Sequence, residues 1–232
     1  MNLSGSKDDT PLHRRALVIG ASGGIGAALC AALAERGAEV TGLSRSVDGV
    51  DFGDPASVAA RLEALSGPFE MILVASGVLA PEGARPEKSL AEIDASRMAE
   101  VMAANAIGPA LVLRHAPRLL PRNGRSVVGV LTARVGSIGD NRLGGWYSYR
   151  ASKAAANQIV HTAAIEIART HPGAVVVALH PGTVATEFTR DYPAHRKVTP
   201  AEAAGNLLGV LAGLEPRQTG QFFDWAGKPV PW

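Results

Sequence analysis

The sequence predicts an α/β fold: a single-domain Rossmann fold, with a doubly wound parallel sheet of about seven strands and helices on both faces. Three observations carry this. Short apolar runs alternate with helix-length segments along the chain. Several of those runs are apolar almost throughout, as strands covered on both faces must be. The first run also enters a glycine-rich turn that opens a helix. At 232 residues the chain suffices for one sizeable domain and is short for two.

Residues 1–13, MNLSGSKDDTPLH, have no apolar core and read as a flexible tail ahead of a domain over 14–232. The strand runs are ALVIG (16–20), EVTGL (39–43), FEMILVAS (69–76), RSVVGVL (125–131), AVVVALH (174–180) and GQFFDW (220–225), with a short extra strand at GVDF (49–52). Between the first two, GAALCAALAERG (26–37) is a small-residue helix that stops at Gly37. The uncharged stretch 16–34 therefore reads as strand, turn and helix rather than a membrane span. Asp54 followed by Pro55 predicts an N-cap and first-turn proline, with Val58, Leu62 and Leu65 on one helix face. Ser89 with Glu92, and Thr199 with Glu202, have capping-box spacing. A long helix is expected over 147–169. The patternless stretch 183–198 reads as a substrate lid.

A net charge of +2, without a basic run, offers no electrostatic footprint for nucleic acid. The six histidines have no metal-ligand spacing, so no metal is expected. Cys30 is the sole cysteine and lies in an apolar helix pattern, which suits a buried structural thiol. The absence of a signal-like segment points to a cytoplasmic protein, with neither membrane nor nucleic acid as partner.

The first strand leads through GASGGIG (20–26) into its helix. Such a turn lets main-chain N–H groups approach a pyrophosphate at the helix N-terminus. Gly20, Ala21, Ser22, Gly23 and Gly24 also satisfy G-x-S-x-G, the nucleophile elbow of α/β-hydrolases. Against the elbow stand the lack of an earlier strand for an oxyanion loop and of a convincing acid-then-histidine pair downstream. A turn that merely packs helix on sheet is the third reading. The second strand ends in GLSRS. An acid at that strand end holds the adenosine ribose hydroxyls in dinucleotide folds. Here Ser44 stands there, with Arg45 next, which suits a 2′-phosphate and favours NADP(H) over NAD(H). A solvated surface arginine is the plainer alternative.

Tyr149 and Lys153 are four apart and share a helix face. A nearby ammonium lowers a phenol's pKa and makes it usable as an acid or base. Tyr147 falls on a different face.

The chain resembles the short-chain dehydrogenase/reductase family over nearly its whole length. The resemblance rests on GASGGIG (20–26), VASG (74–77), NAIGP (105–109), YRASK (149–153) and HPGTVAT (180–186). Within the family it looks most like the C-factor and sniffer-like carbonyl reductase branch, on GSIGDNRLGGWYSYRASKAA (136–155) and GQFFDWAGKPVPW (220–232). The resemblance implies an NADP(H)-dependent oxidoreductase acting on a small-molecule carbonyl or alcohol. It implies Tyr149 as general acid, with Lys153 lowering its pKa and binding the nicotinamide ribose. Asn105, in a helix bent near Pro109, is implied to position a relay water. Gly20, Ser22, Gly24, Ile25 and Gly26 are implied around the pyrophosphate, and Asp51 and Phe52 beside the adenine. Ala75 and Gly77 are implied on the adenosine side. Val184 and Thr186, after Pro181 and Gly182, are implied at the nicotinamide amide. A homodimer or homotetramer through the helices holding Asn105 and Tyr149 is implied as well. The branch includes a developmental signalling protein, so an NADP(H)-binding regulatory protein with little turnover is the alternative.

Three features depart from the family pattern. Ile19 replaces the threonine before the first glycine, and VASG replaces Asn-Asn-Ala-Gly. Thr132 and Ala133 stand where the substrate-orienting serine is expected. Ser137 is the first choice for that hydroxyl and Thr132 the second. Leu79, Trp146, Phe188 and Tyr192 are candidate pocket residues, and Arg190, Arg196 and Lys197 could meet an anionic group or be solvated.

Overall fold

The computed structural model describes residues 14–190 and 196–232. Six parallel strands form one sheet: β1 (Arg15–Ile19), β2 (Glu39–Leu43), β3 (Met71–Val74), β4 (Ser126–Leu131), β5 (Ala174–His180) and β6 (Phe222–Asp224). Their order is β2-β1-β3-β4-β5-β6. The helices are α1 (Gly24–Glu35), α2 (Arg45–Asp48), α3 (Pro55–Glu63), α4 (Ala95–Met102), α5 (Gly108–Leu119), α6 (Tyr147–Ala168) and α7 (Pro200–Gly213).

Strand side chains alternate between two cores, as a period of two requires. Leu17, Ile19, Ile72, Val74, Val128, Val130 and Val176 pack with Leu62 of α3, Val112 of α5 and Val160 of α6. Ala16, Val18, Met71, Leu73, Val127, Val175 and Val177 pack on the opposite face with Leu29 of α1 and Leu207 and Leu211 of α7. Every residue of β4 is buried, which explains its unbroken apolar run.

The expected seventh strand at 49–52 is absent. The Asp51 N–H donates to Ser57 Oγ, which in turn contacts Asp51 O, and Asp51 Oδ1 accepts from Gly53 N–H. These local bonds take the main-chain groups that a ladder would need. Asp54 caps α3 as expected, accepting from Ala56 N–H at 3.0 Å. Thr199 likewise caps α7. Ser89 does not open a full helix: only a single 3₁₀ turn, Leu90–Glu92, follows it, and Glu92 reaches back to Lys88 N–H. The helix itself begins after Asp94, which caps Arg97 N–H.

The tail expected over 1–13 lies outside the described residues, as does Tyr192 in the expected lid. The free edge of β6 is met by the chain's own return, with Val230 N–H donating to Phe222 O and an antiparallel bridge between Phe223 and Pro229. Among the described residues no helix is long and apolar enough to cross a membrane, and no cluster of three metal-ligating side chains occurs. Cys30 is half-buried rather than enclosed, and its burial still pushes the thiol pKa up.

Leu211 is fully buried between α7 and the sheet. Leu211→Ala is expected to cost about 2–5 kcal/mol by removing transfer energy and leaving a cavity. The urea midpoint checks it.

Candidate active site

The chain leaves β1 towards one side of the sheet for β2, then crosses back to β3 on the other side. That reversal opens a crevice at the strands' carboxyl ends, where ligands bind in open α/β sheets. A cavity of about 960 Å³ lies there. Its wall runs from Gly24 and Ile25 past Ala75 and Gly77 to Thr132, then to Tyr149 and Lys153, and on to Pro181, Gly182, Val184 and Thr186. Gly20, Ser22, Gly26, Ser44, Arg45, Asp51, Phe52, Asn105 and Ser137 stand outside that wall.

The glycine turn divides its labour. Gly20 has φ +89°, and a Cβ there would fall 2.9 Å from the main chain of Ala75. A Cβ at Gly26 would meet Gly20 O at 2.0 Å. These two glycines shape the turn, whereas Gly23 and Gly24 face the cavity. Helix α1 opens with no side-chain cap and no acid in its first turn, so its leading N–H groups are open to an anion. That fits a dinucleotide pyrophosphate. A Cβ at Gly24 would lie 2.6 Å from Thr186 Cγ2, so the segment after β5 closes directly onto this turn. Ser22 is exposed, and among the described residues no histidine hydrogen-bonds to it as the base of a hydrolase elbow would. Phe52 lies over Gly108, where a Cβ would strike its ring.

The N-terminus of α6 is held by a residue the sequence did not single out. Glu87 accepts from the Ser148 N–H at 3.2 Å and from its hydroxyl, and Glu87 O accepts from Trp146 N–H. Burial raises the Glu87 pKa, but these hydrogen bonds outweigh it and hold the carboxyl below its ordinary value. Trp146, at φ 55°, is in the left-handed region. Such a conformation costs about 1–3 kcal/mol and is kept only where its surroundings enforce it. It sets the indole edge-on to Tyr149, 6.1 Å between ring centroids, while Phe188 approaches the same ring at 5.8 Å.

Asn105 sits in a π-helical turn, Ala103–Ile107, between α4 and α5. This turn, rather than a bend at Pro109, breaks the helix. The Asn105 side chain is fully buried. Its Oδ1 accepts from Val78 N–H at 2.8 Å, and its Nδ2 donates to Val78 O at 2.8 Å and to Ser152 Oγ at 3.0 Å. The Ser152 hydroxyl donates to Tyr149 O.

Tyr149 and Lys153 are both buried, with the Lys153 ammonium 5.8 Å from the Tyr149 ring centroid and donating to Leu131 O at 3.2 Å. The expected lowering of the tyrosine pKa is not what the protein alone produces. Burial pushes Tyr149 up and pushes Lys153 down to about 8, because each loses its hydration when charged. Gly77 leaves the room for this arrangement, since a Cβ there would come within 3.1 Å of Lys153 Nζ.

Ser137 is not where the first expectation placed it. Its hydroxyl accepts from Asp140 N–H at 3.1 Å within the loop after β4. Thr132 does line the cavity, and its buried hydroxyl has no hydrogen-bond partner. His180, beside it across the β4–β5 ladder, also lines the cavity, and its Nδ1 is buried without a partner. The sequence offered Thr132 as the second choice for the substrate-orienting hydroxyl, whereas the place of the His180 imidazole beside it comes from strand register.

A doubly wound sheet with an open helix N-terminus and a buried Tyr–Lys pair defines a dinucleotide-binding α/β protein of oxidoreductase type. A family model described as enoyl-(acyl carrier protein) reductase matches residues 20–221. The chain is 32% identical to 1-hydroxy-2-glutathionyl-2-methyl-3-butene dehydrogenase of Rhodococcus sp. (strain AD45), covering 93% of this chain and 98% of that one. It is 39% identical to C-signal of Myxococcus xanthus over 148 residues, 62% of this chain and 84% of that one. NADPH-bound carbonyl reductase from chicken fatty liver superposes with a TM-score of 0.77 at 25% identity, over 94% of each chain. The chain belongs to the short-chain dehydrogenase/reductase family.

His180 gives the site a pH signature. Burial, then the charge of Arg134, lowers its pKa to about 4 against the opposing pull of Asp224, from an ordinary 6.5. The unfolded chain therefore binds this proton where the folded chain does not. Stability from this group is complete above about pH 6.5 and is lost as pH falls toward 4, by about 2 kcal/mol at pH 5. Urea unfolding at pH 7.5 and pH 5 checks it, and His180→Asn is expected to remove that share of the slope.

Proposed function

We propose that the protein is an NADP(H)-dependent oxidoreductase that reduces an aldehyde or ketone, or oxidises the matching alcohol, with Tyr149 as general acid and base. The observation that carries this is the buried Tyr149–Lys153 pair on the wall of the cavity that also contains the open N-terminus of α1. When bound, the dinucleotide supplies hydride to the carbonyl carbon. Tyr149 gives its proton to the carbonyl oxygen, and takes one back in the alcohol direction. Lys153, with a pKa near 8, is protonated at neutral pH, and its charge favours the tyrosinate over the neutral phenol. Lys153 also binds the nicotinamide ribose.

Thr132 supplies the hydroxyl that orients the substrate oxygen, in place of the serine missing at Ala133; its free, buried Oγ1 supports this over Ser137. The Asn105 side chain is committed to Val78 and Ser152, so its part in a proton relay falls to its main-chain carbonyl. Gly24 and Ile25 hold the pyrophosphate, Ala75 and Gly77 the adenosine side, and Pro181, Gly182, Val184 and Thr186 the nicotinamide amide. Arg45, exposed and without an ion pair among the described residues, supports NADP(H), as does the NADPH-bound neighbour. Leu79, Leu143, Trp146 and Phe188 make the substrate end apolar and aromatic. We place the protein in the cytoplasm, as a homodimer or homotetramer through α4–α6, where Ile107 and Ile165 are exposed; light scattering checks the assembly.

A second reading, a cofactor-binding regulatory protein with little turnover, is favoured by Ala133 and by the likeness to C-signal.

NADPH oxidation across aldehydes, ketones and quinones, with NADH in parallel, tests the proposal. Turnover is expected; NADPH binding without turnover on any carbonyl would leave the regulatory reading. Tyr149→Phe is expected to abolish turnover and spare NADPH binding. Thr132→Val should cost on the order of a hundredfold in kcat, the size of one lost oxyanion donor, and Thr132→Ser should restore most of it.

A further inference from the structure

The end of β2 carries a charge that its sequence position conceals. Ser44 follows the strand and caps α2, accepting from Val47 N–H. Asp48, the last residue of that short helix, folds back over the cap. Its Oδ2 accepts from Ser44 N–H at 2.8 Å and from the Ser44 hydroxyl at 3.3 Å. Ser44 is buried, Asp48 is half-buried, and Arg45 between them in sequence is exposed. Among the described residues Arg45 forms no salt bridge, with Asp48 or with any other acid.

In a dinucleotide fold, the residue at this strand end meets the 2′ position of the adenosine ribose. Ser44 offers a main-chain N–H and a hydroxyl, the donors a 2′-phosphate would take. Both already serve a carboxylate. A 2′-phosphate reaching Ser44 therefore meets a like charge, whereas a 2′-hydroxyl meets an acceptor. Arg45 pulls the other way, offering a free guanidinium to a phosphate. An acceptor for one cofactor and a cation for the other stand within a few residues.

We propose that Asp48 is the residue that sets cofactor selectivity, holding the preference for NADP(H) low and admitting NAD(H). The proposal rests on the dinucleotide reading above and sharpens it. Asp48→Asn keeps an oxygen that can accept from Ser44 N–H but removes the charge. Arg45→Gln removes the opposing charge.

The test is equilibrium binding of NADPH and NADH to the full chain, read by the fluorescence of the reduced nicotinamide, at low and high salt. The unaltered protein should bind the two within about tenfold of each other. Asp48→Asn should tighten NADPH relative to NADH by about twofold to fivefold, the scale of one partly exposed charge pair. Added salt should narrow the gap between the two proteins for NADPH, because the contact is screened. A purely structural cap would shift both cofactors alike and respond little to salt. Arg45→Gln should weaken NADPH by a similar factor and leave NADH preferred, and it reads the same balance if Asp48→Asn does not fold. An unchanged NADPH-to-NADH ratio in Asp48→Asn overturns the proposal. So does an NADPH preference above a hundredfold in the unaltered protein, or an equal loss of both cofactors in Arg45→Gln. Binding of neither cofactor removes the dinucleotide reading and this inference with it.

Discussion

The site hangs on one buried amide. Asn105 grips both main-chain groups of Val78 and also bonds Ser152, so the loop after β3, the π turn and α6 meet at a single side chain. The tie sets where Tyr149 stands, because Ser152 passes it on to the carbonyl of Tyr149 one turn back. A buried amide satisfied on both ends fixes geometry in a way that apolar packing cannot, since each bond has a direction and each unmet group a cost. The extra residue in the π turn is what lets the amide sit at that height between α4 and α5.

Electrostatics in the cavity follow from dryness more than from pairing. Tyr149 and Lys153 each shift toward the neutral form, although they stand close enough to assist one another. His180 behaves the same way for the same reason. The protein has thus gathered three titratable groups at the strand ends and stripped them of water.

Much of this was legible in the chain. The six strand runs were found because buried parallel strands are apolar throughout, and β2 and β5 match their runs end to end. The glycine turn and the Tyr149–Lys153 pair were legible because both depend on short spacings. What escaped depends on contacts between distant segments. Glu87 clamps Ser148 from 61 residues away, and no local pattern announces it. His180 stands beside Thr132, the second choice the sequence offered for the substrate-orienting hydroxyl, only because Leu131 pairs with Leu179. The expected strand at 49–52 failed because Ser57, a residue outside the run, takes its main-chain groups. Ser137 looked suitable by its count from Tyr149, yet the loop turns its hydroxyl onto Asp140. Asp48 has no local signal because it lies five residues beyond the strand end and returns by way of a helical turn.

The return of the chain alongside β6 has its own consequence. An open parallel sheet offers its outermost strand as a template on which another chain can polymerise. Here that strand is three residues long, and its outer carbonyl and N–H groups are taken by Val230 and Lys228, with Pro229 between them. A second molecule finds no ladder to extend at this edge. Association on this side of the molecule must proceed through side chains, so it can be specific and finite, and the fold is guarded there against fibrous growth.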